Sequence, residues 1–508
     1  MKQWLSKFRS RRLKGRFKDG VTSTSNDEVA WWNQPIISVL IGFLLWCAAC
    51  ILLHTGTSGK RGNLDVTLAM AGKEILLLIF TGICGMLLRV LAPETLKNNS
   101  RLLMLGLCAM ATVIPACLLL HDTGHWSSLP PVAAGMLIPF ALTPLLTGVL
   151  LGGAAATVAG LWATLTCLIF GNYSIPILIA GLIATTTAAR MARTLRRRTQ
   201  LIRVGLVVGL LQLASLILLT GPLSGDSLTI TKMALACIGS GLGAALLTLL
   251  LLPLCESLSG LTSNMTLLEL SDLGHPLLQR LAFEAPGTYH HSLMLANLAA
   301  AAADEIGANS ILARVGAYYH DIGKVTKPGY FTENIRTGDN PHDELNPSMS
   351  ALLVMAHIKE GITLAMLHKL PRAVRDIIQQ HHGTGLVVYF LHKAGQQAET
   401  DAYPSTGRGR AAVDESNYRY PGPKPVSREA AIIMLADAVE AASRSLEKPT
   451  PTTISELVDR LGNDRLEDKQ LDQCEMTLAE LCKVKRSFVF SLTNMLHTRI
   501  AYPREEKK

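Results

Sequence analysis

The chain has 508 residues, 49% of them hydrophobic and 17% charged, with a net charge of +9 at pH 7, and it is long enough for more than one domain. The positive balance does not point to nucleic acid, because many of the basic residues lie beside apolar runs, where solvated charge facing lipid accounts for them. The ten cysteines do not form a disulfide or zinc framework: Cys47, Cys50, Cys84, Cys108, Cys117, Cys167 and Cys237 lie within apolar runs, Cys255 just beyond the last, and Cys474 and Cys482 on an expected cytosolic helix.

In chain order, residues 1–35 form a basic leader with Lys2, Lys7, Arg9, Arg11, Arg12, Lys14, Arg16 and Lys18. Residues 36–254 then form a membrane domain of apolar runs, each roughly twenty residues long, the length that crosses a hydrocarbon core as helix. Eight runs are expected, at 36–54, 73–91, 102–120, 131–151, 154–171, 174–189, 201–220 and 230–253. Between 131 and 189 only Gly152-Gly153 and Gly171-Asn172 punctuate three closely spaced runs. The Cys47-x-x-Cys50 pair reads as small-residue packing in the bilayer.

A second basic cluster, Arg190, Arg193, Arg196, Arg197, Arg198 and Arg203, follows the sixth run. Positive charge favours the cytoplasmic side, and an even number of spans puts both clusters and the C-terminal half there. The segments 55–72, 121–130 and 221–229 are short and weakly charged, as expected outside. The first run starts too late, and without a small-residue cleavage pattern, to be a removable signal peptide. Acidic residues are almost absent from the spans, which argues against an ion or proton pathway. Pro115, Pro139, Pro144 and Pro176 mark expected kinks.

After a connector at 255–272, residues 273–508 read as an all-α cytosolic domain. Expected helices cover Ser292 to Ala303, Ile311 to Asp321, 348–359, Pro371 to His381, 385–394, Ser427 to Leu446, 453–461 and 475–498, with an exposed loop from Gly395 to Asn417. This domain carries an ordered set of metal-ligand types: the pair His290-His291, then His320-Asp321, His357, His381-His382 and Asp437. Imidazoles and carboxylates suit intermediate divalent ions such as Mn²⁺ or Fe²⁺, and a carboxylate between two histidine clusters can bridge a metal pair. Asp437 fits independently, because a carboxylate on an otherwise apolar helix is costly to bury without a cation.

The stretch from about 255 to 503 resembles the cytosolic HD domain of the PgpH-type seven-transmembrane HD phosphodiesterases, which hydrolyse cyclic di-AMP. The matching motifs are Glu284-Ala-Pro-Gly-Thr-Tyr-His-His-Ser292, Gly316-Ala-Tyr-Tyr-His-Asp-Ile-Gly-Lys324, Asn340-Pro-His-Asp343, Gln380-His-His-Gly-Thr384, Tyr420-Pro-Gly-Pro-Lys-Pro425 and Met434-Leu-Ala-Asp-Ala-Val-Glu-Ala-Ala442. The membrane block is similar in plan, one anchor helix followed by seven. Family members commonly carry a large extracellular domain between the first two spans, whereas here only about residues 55–72 lie between them.

Carried over, the resemblance implies that His291, His320, Asp321 and Asp437 hold one metal and His357, His381 and His382 the other, with Asp321 bridging. The choice of His291 over His290 comes from the family pattern. It further implies two divalent transition metals, Mn or Fe, and hydrolysis of cyclic di-AMP to the linear dinucleotide pApA. Asp321 is then catalytic as the bridge, and Lys324 as a group that pairs with a phosphate oxygen. His342 contacts substrate or only orders its loop. The alternatives are an HD enzyme for cyclic di-GMP or guanosine polyphosphates, disfavoured because His382 is followed by Gly-Thr-Gly and not Gly-Tyr-Pro, and a non-catalytic nucleotide-sensing receptor. The implied partners are a cyclic dinucleotide and the lipid bilayer, with no DNA or RNA duplex and a homodimer left open. The implied location is the bacterial inner membrane, with the N-terminus and HD domain cytoplasmic.

Overall fold

The computed structural model describes residues 32–55, 64–121, 131–220, 227–335, 340–400, 413–446 and 449–497. The basic leader up to residue 31 lies outside the described residues, as do parts of the three short segments between spans. The chain divides into two compact units, Met1–Leu261 and Thr262–Lys508. Among the described residues both are helical, and the one β contact is an isolated antiparallel bridge between Leu386 and Arg419.

The first unit contains α1 (Pro35–Thr55), α2 (Leu64–Leu91), the single turn α3 (Pro93–Leu96), α4 (Asn99–His121), α5 (Pro131–Met136), α6 (Leu142–Leu151), α7 (Gly153–Phe170), α8 (Ile175–Ala192), α9 (Thr199–Thr220) and α10 (Ser227–Ser259). Each expected apolar run is helical, but the fourth is broken in two at residues 137–141. Proline supplies no N–H and interrupts the helical ladder at Pro139. Carbonyls left unpaired at the break would be costly in lipid, and side chains from other helices add to the backbone donors there. Ser240 donates to the Ile138 carbonyl at 2.6 Å and Thr112 to the Pro139 carbonyl at 3.3 Å. Helices α9 and α10 approach so closely that a Cβ on Gly241 would collide with the Gly205 carbonyl oxygen, the small-residue packing that membrane helices favour. None of the ten cysteines is in a disulfide.

In the first unit Glu74 and, near the end of α10, Glu256 fall within candidate spans. Glu74 on α2 accepts from His54 on α1 at 2.6 Å, and its carbonyl accepts from the Trp46 indole at 3.0 Å. Pairing between neighbouring helices offsets the cost of that charge.

The second unit begins with α11 (Asn264–Leu270) and α12 (Pro276–Glu284), followed by α13 (Pro286–Glu305) and α14 (Ser310–Tyr319). After a series of 3₁₀ turns come α15 (Pro347–Leu367), α16 (Arg372–Gln380), α17 (Val388–Thr400), α18 (Arg428–Ser443), α19 (Pro451–Glu467) and α20 (Leu478–His497). Among the described residues eight helices are long and apolar enough to cross a membrane, and one of them is α15, in this second unit.

Several boundaries differ from expectation. Helix α14 stops at Tyr319, so Asp321 follows the helix instead of ending it, and α15 extends eight residues past the expected 359. Helix α17 runs to Thr400, inside the expected loop, whose residues 401–412 lie outside the described residues. Local chemistry sets the clearest start. Gly307 takes a left-handed φ of +65° after α13, and the Asn309 side chain then accepts from the N–H groups of Ile311 and Leu312 to cap α14.

The core of this unit is built on the alanine-rich face of α13. Leu295, Ala296, Ala299 and Ala303 pack with Ala431, Ile433 and Ala436 of α18 and with Val484 and Phe488 of α20, all essentially buried. Small side chains let α13 and α18 lie close together, which brings His291 and Asp437 within reach of each other.

Candidate metal centre

The expected ligands arrive from five elements. His291 lies near the start of α13, His357 in the middle of α15 and Asp437 in the middle of α18. His320 and His381 each stand just after the last turn of a helix, α14 and α16, followed at once by Asp321 and His382. Helix ends thus present pairs of ligand types where a helix interior presents single ones.

The structure brings all seven together in two groups. Asp321, His357, His381 and His382 form one, and His291, His320 and Asp437 the other, with one donor atom per residue lying within 4.8 Å of those of its group. Asp321 divides its carboxylate between them. Its Oδ1 is 3.3 Å from His357 Nε2 and 3.7 Å from His381 Nε2, while its Oδ2 is 3.2 Å from His320 Nε2 and 4.0 Å from His291 Nε2. Asp437 Oδ1 lies 3.1 Å from His291 Nε2, and its Oδ2 lies 3.7 Å from His382 Nδ1. His291 is buried and His290 exposed.

Hydrogen bonds fix the direction of the rings. The Nδ1 atoms of His320, His357 and His381 lie 2.8, 2.6 and 2.9 Å from the carbonyl oxygens of Ala317, Val354 and Ile378, three residues back in each case. A ring that donates from Nδ1 keeps the Nε2 lone pair for a metal. His320 Nε2 and Asp321 Oδ1 are buried and have no hydrogen-bond partner. Orphaned buried donors and acceptors are rare in folded proteins, and here one falls in each of the two donor groups. The N/O donor set and these unpaired atoms fit divalent cations.

Charge in the site follows from packing. Burial alone would raise the pKa of Asp321, but His320 and Lys324 hold it well below the usual carboxylate range. Asp437 is held low in the same way, chiefly by His291 against the effect of burial. Burial pushes His357 down to about 4 and His382 well below its usual value. Ionised carboxylates and neutral imidazoles are the protonation states in which these groups bind metal; His291 differs, for against the effect of burial Asp437 and Glu440 raise it to about 10.

Residues 67–263 match the family of 7TM receptors with an intracellular HD hydrolase, and residues 288–442 match the HD domain family. The cyclic-di-AMP phosphodiesterase PgpH of Bacillus subtilis is 41% identical over 315 residues, 61% of this chain and 42% of the relative. That of Listeria monocytogenes is 39% identical over 373 residues, 72% of this chain and 50% of the relative.

The two family matches and these relatives support a PgpH-type seven-transmembrane HD protein.

It spans about half the length of the curated relatives it matches. The crystal structure of the L. monocytogenes PgpH HD domain is 44% identical and covers 44% of this chain and 100% of that one, with a TM-score of 0.40. A second structure holds that domain in complex with cyclic-di-AMP and has the same identity and TM-score.

Within this seven-transmembrane HD protein, other expected residues take different places. Lys324 Nζ lies 2.7 Å from Asp321 Oδ2 and 2.7 Å from Glu333 Oε1. His342 belongs to neither group: its Nε2 is 2.8 Å from the Tyr330 carbonyl oxygen, and its ring packs against Phe390. Three neighbours of the site had no expected role. Glu333 holds Lys324 and accepts from Thr288. Tyr420 stacks on His382 with ring centroids 4.3 Å apart. Glu440 lies 2.5 Å from His291 Nδ1. Glu440 was the most accessible to sequence reasoning, because it stands one turn after Asp437 on the same apolar helix and the argument for Asp437 applies to it equally.

Proposed function

We propose that this chain is a membrane-anchored, metal-dependent phosphodiesterase that hydrolyses cyclic di-AMP to pApA with two divalent transition metals. The observation that carries the reading is the division of Asp321 between two groups of donors, Oδ1 toward His357 and Oδ2 toward His320. The substrate class is supported by the names of the two relatives and by the cyclic-di-AMP complex of the related domain.

His291, His320, Asp321 and Asp437 would hold one ion, and Asp321, His357, His381 and His382 the other, Mn²⁺ or Fe²⁺ being suited to this mixed N/O set. When bound, the pair would supply Lewis acidity toward phosphate oxygens and a water that ionises near neutral pH. The chain's own residues do the rest. Carbonyl-oriented imidazoles keep the donors fixed, and the buried carboxylates remain ionised. Lys324 supplies a cation beside Asp321 for a non-bridging phosphate oxygen, a position from which it would stabilise the negative charge on the phosphoryl oxygens. No side-chain nucleophile is needed.

The N-terminus and HD unit are assigned to the cytoplasm, since the leader and the cluster from Arg190 to Arg203 are strongly basic.

The test is chromatography of products after the Mn²⁺-loaded chain, in detergent, meets cyclic di-AMP and cyclic di-GMP in parallel. Preferential conversion of cyclic di-AMP to pApA is expected. Cleavage of neither nucleotide by a metal-bearing protein would overturn the substrate assignment.

A further inference from the structure

Four histidines of the centre receive support at Nδ1, and they do not receive the same support. Those of His320, His357 and His381 face neutral carbonyl oxygens of their own helical turns. That of His291 faces a carboxylate, Glu440 Oε2, at 2.5 Å. The other carboxylate oxygen of Glu440, Oε1, accepts from Arg444 twice, from Nε at 2.9 Å and from Nη2 at 2.7 Å. The glutamate is 7% exposed, and Arg444 one turn further along α18 leads its charge toward solvent. Asp437 and Glu440 on α18 and Arg444 at its C-cap therefore follow one another at helical spacing, and the middle residue touches the imidazole.

A carboxylate behind an imidazole does what a carbonyl does, fixing the ring and its tautomer, and adds electron density that makes the far nitrogen a stronger donor. The group containing His291 also has Asp437 in addition to its share of Asp321, whereas the other group adds three histidines to that share. Both differences strengthen binding of a cation on the same side.

We propose that Glu440, held by Arg444, is a positioning residue for His291 that makes the His291–His320–Asp437 group the tighter of the two metal sites, so that it fills first. This rests on the two-metal reading above. The competing account is structural only: Glu440 and Arg444 form a helix-surface ion pair, and His291 needs an acceptor but not a charge.

The experiment titrates the metal-free full-length chain in detergent with Mn²⁺ and follows the free ion by electron paramagnetic resonance. The wild-type chain is expected to take up two equivalents in separable steps. Glu440→Ala is expected to weaken one step by about 10–100-fold, the usual effect of removing a partner behind a ligating histidine, and to leave the other unchanged. Glu440→Gln keeps an acceptor without the charge. An affinity between wild type and alanine supports the electronic role, and full wild-type affinity overturns it.

Single-site backgrounds assign the step. With His357→Ala, the remaining step should respond to Glu440→Ala, and with His291→Ala it should not; the reverse pattern, or equal weakening in both, overturns the proposal. If the alanine variant does not fold, as judged by circular dichroism and size exclusion, the glutamine variant carries the same comparison. A wild-type chain that takes up no Mn²⁺ removes the two-metal reading itself. Two wild-type equivalents with unaltered Glu440 variants remove only this inference.

Discussion

Lys324 is clamped between two carboxylates, its ammonium 2.7 Å from Asp321 Oδ2 and 2.7 Å from Glu333 Oε1. The first of these oxygens is also the one 3.2 Å from His320 Nε2. All three charged groups are largely buried, and burial opposes each charge while the neighbours sustain it: Lys324 is raised, and Asp321 and Glu333 are lowered. The lysine therefore serves the fold as well as the proposed chemistry.

Lys324→Ala should destabilise the metal-free protein by about 3–5 kcal/mol, the cost of leaving a buried partner without its counter-charge. Adding Glu333→Gln removes that uncompensated charge and should restore part of the loss. Thermal unfolding followed by circular dichroism separates the cases. A double variant that melts no higher than the lysine variant would show that Glu333 does not depend on Lys324.

Asp321→Ala removes the carboxylate that serves both groups of donors, and hydrolysis of cyclic di-AMP should fall below detection. Asp321 is 1% exposed, so the alanine variant is checked for folding by its unfolding midpoint. A folded variant that retains near-normal turnover would refute the bridged two-metal reading.

The all-α class and the order of chemistry along the chain were legible in the sequence, because both are local. Apolar runs of spanning length and paired ligand types at His320-Asp321 and His381-His382 each need only a few neighbouring residues to be seen. What sequence did not expose is what depends on distant pairing. Glu440 meets His291 across 149 positions and Thr288 meets Glu333 across 45, so no periodicity connects them. The break at residues 137–141 was hidden for a related reason. Pro139 signalled a kink, but the kink becomes a full interruption, where Ser240 and Thr112, from other helices, donate to the carbonyls.

Gly323 marks the closest approach in the site. A Cβ there would collide with the carbonyl oxygen of His357 and with the amide nitrogen of Gly361, and both belong to the backbone of α15, which cannot give way as a side chain can. Gly323→Ala should therefore displace α15 at the residue that carries a donor imidazole. About 1–3 kcal/mol of stability should be lost, the range for overpacking a close contact, and Mn²⁺ uptake at the group containing His357 should weaken. Unchanged uptake and an unchanged melting temperature would mean that the two segments can separate without cost.

Tyr420 offers a separation between holding a ligand and touching the substrate. Its ring stacks on His382 at 4.3 Å with an interplanar angle of 24°, and it stands edge-on to His357 at 6.2 Å. Its own position is set by its backbone N–H, which donates to the Gly385 carbonyl at 2.9 Å. An aromatic contact of this kind contributes about 0.5–1.5 kcal/mol, and 1.4 kcal/mol corresponds to a tenfold change in affinity, so Tyr420→Ala should weaken one Mn²⁺ step by up to about tenfold through a less confined His382. Tyr420→Phe keeps the stacking surface and removes only the hydroxyl. Metal uptake in the phenylalanine variant should match wild type, and so should kcat if the ring's only task is to confine His382. A drop in kcat with both metals retained would instead place the hydroxyl against the reacting phosphate, and a loss of metal in the phenylalanine variant would overturn the stacking argument.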